Sequence, residues 1–135
     1  MSERVRAAAV IQRGDLVLMV RERVQTAPGR HDGPEYWTLP GGGVEADEEP
    51  ELAVRREVLE EVGLEVIAAR EVARVPYPSG TTTVFRVEVA AGEPRLGVDD
   101  LGCDCPRMVG LDWIRAPEVT SEHGGSPVPL LIYCW

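Results

Sequence analysis

Apolar residues recur along this chain with two different periods, and each period predicts a different element. From Ala7 to Val20 the sequence reads AAAVIQRGDLVLMV, two unbroken apolar runs separated by Gln12, Arg13, Gly14 and Asp15. Short continuous runs bounded by turn residues predict two strands joined as a hairpin. Residues 24–35, VQTAPGRHDGPE, are polar and rich in Pro and Gly, and predict a loop before the short extended run YWTL. Its length makes that loop a candidate for contact with substrate. Further on, LEVIAAREVARVPY and TTTVFRVEVA predict two strands around a turn at Pro78, Ser79 and Gly80, and MVGLDWI predicts another. The tail APEVTSEHGGSPVPLLIYCW is broken by Pro and Gly and predicts no regular element.

Between these strands the period lengthens to that of a helix. Asp47 is the expected N-cap, Pro50 is tolerated in the first turn, and the helix is expected from about Glu48 to Val62, stopping at Gly63. With roughly 100° of rotation per residue, Arg56, Glu57, Glu60 and Glu61 share one arc, and Leu52, Val54, Val58, Leu59 and Val62 the opposite one. The second arc is the expected core face. Carboxylates three and four residues apart repel one another. A solvated acidic face is one reading of them; a hard divalent cation held among their oxygens is the other. The preceding PGGG allows close approach of the backbone, so a glycine carbonyl could complete such a coordination sphere.

Length and charge narrow the classes. A chain of 135 residues corresponds to one domain, taken here as 1–135. With 23 acidic against 14 basic side chains, its charge of −9 makes duplex nucleic acid an unsuitable partner. Cys103, Cys105 and Cys134 form neither an even set nor a CxxC pair, so free thiols are expected and a zinc ribbon is not. Without an apolar run of membrane-spanning length or a signal-peptide core, the expected location is cytoplasmic and no membrane partner is expected.

The helix and the glycines before it also match a known pattern. Gly42, Glu48, Arg56–Glu57–Val58, Glu60–Glu61 and Gly63–Leu64 occupy every fixed position of the Nudix hydrolase signature, and YWTLPGG resembles the usual approach to it. The resemblance implies an α/β fold, an α/β/α sandwich around a central mixed β-sheet with a catalytic loop-helix-loop at 42–64. It implies hydrolysis of a nucleoside diphosphate linked to another moiety, of nucleoside triphosphate, ADP-ribose or nucleotide sugar type. Glu57, Glu60 and Glu61, with the carbonyl of Gly42, would hold Mg²⁺ or Mn²⁺; Arg56 would orient the glutamates and Glu48 would support it. Water attacks phosphorus in line, and its proton must go to a base. Glu57 is the first choice, and Asp99, Asp100 and Asp104 are the loop alternatives. A binding module that senses a nucleotide without turning it over is the competing reading, and the complete glutamate set argues against it.

The remaining candidates are each set against a plain structural role. Arg21 and Arg23 could pair with phosphate or simply end a strand. His31 could meet a phosphate or base or be solvated, and Tyr77 could contact substrate or help make the turn. Tyr36 and Trp37 could stack on a base, though burial against the sheet is the commoner use. The terminal LLIYCW is a candidate cover for a groove or a homodimer contact.

Overall fold

A computed structural model describes residues 4–24, 26–28, 30, 32–77, 80–97 and 108–115. Its elements run β1 (Arg4–Arg13), β2 (Leu16–Arg23), β3 (Glu35–Thr38), β4 (Gly41–Gly43), α1 (Pro50–Val62), β5 (Val66–Tyr77), β6 (Gly80–Val89) and β7 (Met108–Arg115). The strands form a mixed sheet in the order β3-β2-β1-β6-β5, with β4 added to β1 and β7 to β2. The described residues supply one helical layer on this sheet.

The site depends on how β1 uses its two edges. One edge runs parallel to β6 from Arg4 to Ile11. On the other, β2 pairs only at Gln12 and Arg13, next to a two-residue turn in which Gly14 has φ 62°. Farther along, β4 takes that edge, with Arg6, Ala7 and Ala8 opposite Gly43, Gly42 and Gly41. Thus β2, flanked by β3 and β7, parts from β1, and the glycine strand fills the opening.

Burial on both faces explains the unbroken apolar run in β1. Ala7, Ala9 and Ile11 join Leu18, Val20, Phe85 and Val87 against Val54, Val58 and Val62 of α1. Ala8 and Val10 turn the other way, into a cluster with Val17, Met19, Leu39, Val84 and Ile114.

Several expectations need correction. The triple glycine is a short strand rather than a loop, because its backbone lies close enough to β1 to complete a ladder: a Cβ on Gly41 would stand 2.1 Å from the Ala7 oxygen. The helix begins at Pro50 with Glu49 as N-cap, and no side chain makes a capping bond. Asp47 does not cap, and Glu48 lies before the helix, in a turn closed by its N–H donating to the Glu45 oxygen at 3.0 Å. The C-terminal expectation agrees, since Gly63 adopts the left-handed conformation (φ 71°) and donates to Leu59 O.

The buried face of α1 is rotated from the one its periodicity predicts. Val54, Val58 and Val62 are buried, yet Leu52 and Leu59 are each 57 % exposed, while Glu61 is only 2 % exposed. The buried arc is therefore centred near Glu61 and extends to Ala53. Between β2 and β3 the chain is a loop, as expected, and its described residues are tied together by hydrogen bonds. Val24 N–H bonds Pro34 O, Thr26 N–H bonds Arg30 O, and the Arg30 guanidinium holds the Asp32 carboxylate, which also accepts from the Thr26 hydroxyl. His31 within it, the turn residues Pro78 and Ser79, Asp99, Asp100, Asp104, all three cysteines and the tail with LLIYCW lie outside the described residues.

Candidate metal centre and active site

The site is assembled where α1 crosses β4. Its hub is Arg56, whose planar fork reaches three groups that are separate in sequence. Nε donates to Glu48 Oε2 at 2.9 Å and Nη2 to Glu48 Oε1 at 2.8 Å, a bidentate pair. Nη1 donates to Glu57 Oε1 at 2.8 Å, and Nη2 also reaches Gly43 O at 3.3 Å. Glu60 Oε2 is 3.6 Å from Nη1. The Arg56 bonds, and then the Glu45 N–H on the same carboxylate, hold the Glu48 acid well below its usual value, at about 2. In return Glu48, and after it Glu57, raise the proton affinity of the guanidinium.

The glycine strand forms the opposing wall. A Cβ on Gly42 would stand 2.7 Å from the Glu57 carboxyl carbon and 2.8 and 2.9 Å from its oxygens, so the carboxylate rests directly on glycine backbone. Beside it, Gly41 N–H donates to Glu61 Oε1 at 3.0 Å, a buried bond that explains how a carboxylate is tolerated at the centre of the helix's inner face. Glu57, Glu60, Glu61, Glu48, Arg56 and Gly42 are thus brought to one place.

These groups are hard oxygen donors, the chemistry that Mg²⁺ and Mn²⁺ take. Among the described residues no three acidic, His or Cys side chains converge tightly enough to enclose an ion on their own. Arg56 occupies part of Glu48 and Glu57, and Gly41 part of Glu61. The donor set fits a divalent cation in type, and Gly42, having no side chain, lets the Glu57 carboxylate lie against the strand backbone.

Other candidates lie elsewhere. Arg21 and Arg23 share Glu35, at 2.9 and 3.3 Å. Arg21 also lies over Trp37, 5.5 Å from the ring centroid, and Trp37 packs on the cluster facing away from α1. Neither arginine belongs to the Arg56 cluster. Tyr77 ends β5 opposite Gly80. Glu22, which the sequence analysis did not single out, is a carboxylate only 6 % exposed that accepts a hydrogen bond from Tyr36 Oη at 2.9 Å. Alternation in β2 was the available signal: Glu22 follows Leu18 and Val20 on the buried side.

Comparison with known proteins decides the family. The family model described as NUDIX domain matches residues 2–128. This chain belongs to the Nudix hydrolase family. Nudix hydrolases act on phosphoric anhydride bonds, and the chain is an enzyme of that class. Among its relatives is a Mycobacterium tuberculosis protein named "Putative 8-oxo-dGTP diphosphatase 2", 36 % identical over an alignment of 124 positions that covers 86 % of this chain and 84 % of that one. The MutT Nudix hydrolase of Burkholderia pseudomallei superposes with a TM-score of 0.71 at 27 % identity, over 89 % of this chain and 88 % of that structure. An ADP-ribose pyrophosphatase of Streptococcus suis gives 0.72 at 25 % identity, over 98 % and 90 %. The mixed sheet bearing α1 is thus the Nudix fold. Among the described residues no helix is long and apolar enough to cross a membrane.

Proposed function

We propose that this Nudix hydrolase is a Mg²⁺- or Mn²⁺-dependent pyrophosphohydrolase of nucleoside triphosphates, oxidised purine nucleotides included, yielding a nucleoside monophosphate and pyrophosphate. The observation that supports the metal assignment is the placement of Glu57 and Glu60 beside Arg56, with Glu57 and Glu61 against the Gly41–Gly42 backbone. The substrate class is supported by the 36 % identical relative, whose name specifies an oxidised deoxynucleoside triphosphate.

Glu57, Glu60 and Glu61, with the Gly42 carbonyl, would hold the metal, which when bound neutralises charge on the diphosphate and acidifies water. Arg56 fixes the Glu57 carboxylate, and Glu48, ionised down to about pH 2, fixes Arg56. One oxygen of Glu57 is committed to Arg56. We assign its carboxylate as the acceptor of the proton released when water attacks phosphorus. The protein's part is to place groups rather than to form covalent bonds with substrate.

The test is a panel of dGTP, 8-oxo-dGTP, other nucleoside triphosphates, nucleotide sugars and ADP-ribose incubated with Mg²⁺ or Mn²⁺, with products separated chromatographically. Pyrophosphate release from triphosphates is expected. Turnover confined to ADP-ribose would move the substrate to the class named for the Streptococcus suis structure. Glu57→Gln should slow turnover by about 10²–10⁴-fold, the usual range for loss of a general base. An unaffected rate would move that role to Asp99, Asp100 or Asp104.

A further inference from the structure

Glu60 and Glu61 occupy the last turn of α1. A helix end holds side chains less firmly than its middle, because the final four carbonyls have no partner within the helix and the turn tends to fray. In this chain the end is tied down. Gly63 N–H donates to Leu59 O at 3.1 Å, and the other bonds come from the segment after β6: Gly97 N–H to Glu61 O at 2.7 Å and Arg95 N–H to Val62 O at 2.9 Å. Leu96, between these donors, packs against the core under α1.

The close approach is possible only with glycine at 97. A Cβ there would stand 2.0 Å from Glu60 O, 3.1 Å from Glu60 C and 3.3 Å from Glu61 O, all backbone atoms that cannot swing aside. Glu61 is therefore gripped at two points by glycine N–H groups remote from each other in sequence, Gly97 on its carbonyl and Gly41 on its carboxylate. A tight seat on Glu60 and Glu61, rather than on any other turn of the helix, is more than the packing of a connection requires.

We propose that residues 95–97 form a strap that holds the last turn of α1 in register for metal binding, with Gly97 as a positioning residue for Glu60 and Glu61. The inference rests on the assignment of those two glutamates as ligands. Gly97→Ala forces the strap off the carbonyls and frees the turn. The expected result is Mn²⁺ affinity lower by about tenfold, the scale on which partners of metal ligands act.

The experiment titrates Mn²⁺ into wild type, Glu61→Gln, Gly97→Ala and Val84→Ala, following free Mn²⁺ by its electron paramagnetic resonance signal. Val84 is fully buried in the cluster away from α1, so its truncation destabilises the fold without touching the strap. Gly97→Ala should bind weakly and exchange the amides of residues 59–63 faster, and its activity should need more metal while kcat at saturating metal stays close to that of wild type. Val84→Ala should keep wild-type affinity. Equal affinity in Gly97→Ala and wild type would overturn the strap. Equal affinity in Glu61→Gln and wild type would instead overturn the ligand assignment. Should Gly97→Ala fail to fold, Leu96→Ala removes the strap's apolar anchor without adding an atom; it should lose affinity in the same direction, and unchanged affinity would overturn the proposal.

Discussion

Adding one methyl group to Gly42 separates the needs of the fold from those of the site. Gly42 has no positive φ, so alanine is compatible with its backbone. The new Cβ would meet the Glu57 carboxyl group at 2.7–2.9 Å. Carbon contacts settle near ~3.5 Å, so the carboxylate must withdraw by roughly half an ångström or more. It is the end of a flexible side chain and can do so, hence the fold should lose no more than about 1 kcal/mol. A metal site is less tolerant, because ligand distances hold within about 0.2 Å. Gly42→Ala should therefore unfold in urea close to wild type while binding Mn²⁺ about 10–100-fold more weakly, as when a partner of a metal ligand is lost. Urea titration and calorimetry on the same preparation measure both. Wild-type Mn²⁺ affinity in a folded Gly42→Ala would refute the placement of Glu57 and Gly42 on one ion.

Neighbouring positions should respond differently. Gly41→Ala drives a Cβ to 2.1 Å from the Ala7 oxygen and 2.8 Å from the Ala8 Cα, a backbone clash that should cost about 3 kcal/mol or more in urea unfolding. On α1, Val58→Ala should cost roughly 2 kcal/mol, whereas Leu59→Ala, at a site 57 % exposed, should stay within about 0.5 kcal/mol by the same assay. The Glu48 carboxyl, lowered from 4.5 to about 2 by Arg56, contributes stability that is complete above its unfolded value and is lost as pH falls from about 4.5 towards 2. The stability difference between wild type and Glu48→Gln should shrink across that window, and a constant difference in urea midpoints would contradict the pairing. Arg56→Lys keeps the charge but loses the bidentate fork, so kcat should fall more than KM rises.

Much of this fold was legible in the sequence: β1 and β2, buried on both faces, write continuous apolar runs, and β5, β6 and β7 lie in β-branched and apolar segments bounded by turn residues. β4 was not, since three glycines have no side chains with which to announce a strand, and its pairing is dictated by Ala7 and Ala8 across the ladder. The helix end was readable from Gly63, but its start was not. A turn from Glu45 to Glu48, made for the Arg56 pair, delays α1 to Pro50. Hydrophobicity alone put Leu52 and Leu59 inside and Glu61 outside. The structure inverts both because Gly41 offers Glu61 a buried donor, a tertiary fact that helical periodicity does not contain. The site's membership was written in the spacing of Gly42, Glu48, Arg56, Glu57, Glu60 and Glu61. Its supports, Gly41 from the strand and Gly97 from beyond β6, were not, since each acts through a backbone N–H.

Everything proposed for the site depends on the α1 glutamates holding a divalent cation that the hydrolysis requires. The most direct test is the rate of pyrophosphate release from 8-oxo-dGTP and dGTP as Mg²⁺ is raised from zero, for wild type and Glu61→Gln. No turnover is expected without metal, with saturation in wild type and a Glu61→Gln enzyme that stays folded yet remains slow at every Mg²⁺ concentration. Turnover by Glu61→Gln with the wild-type Mg²⁺ dependence would contradict the metal assignment.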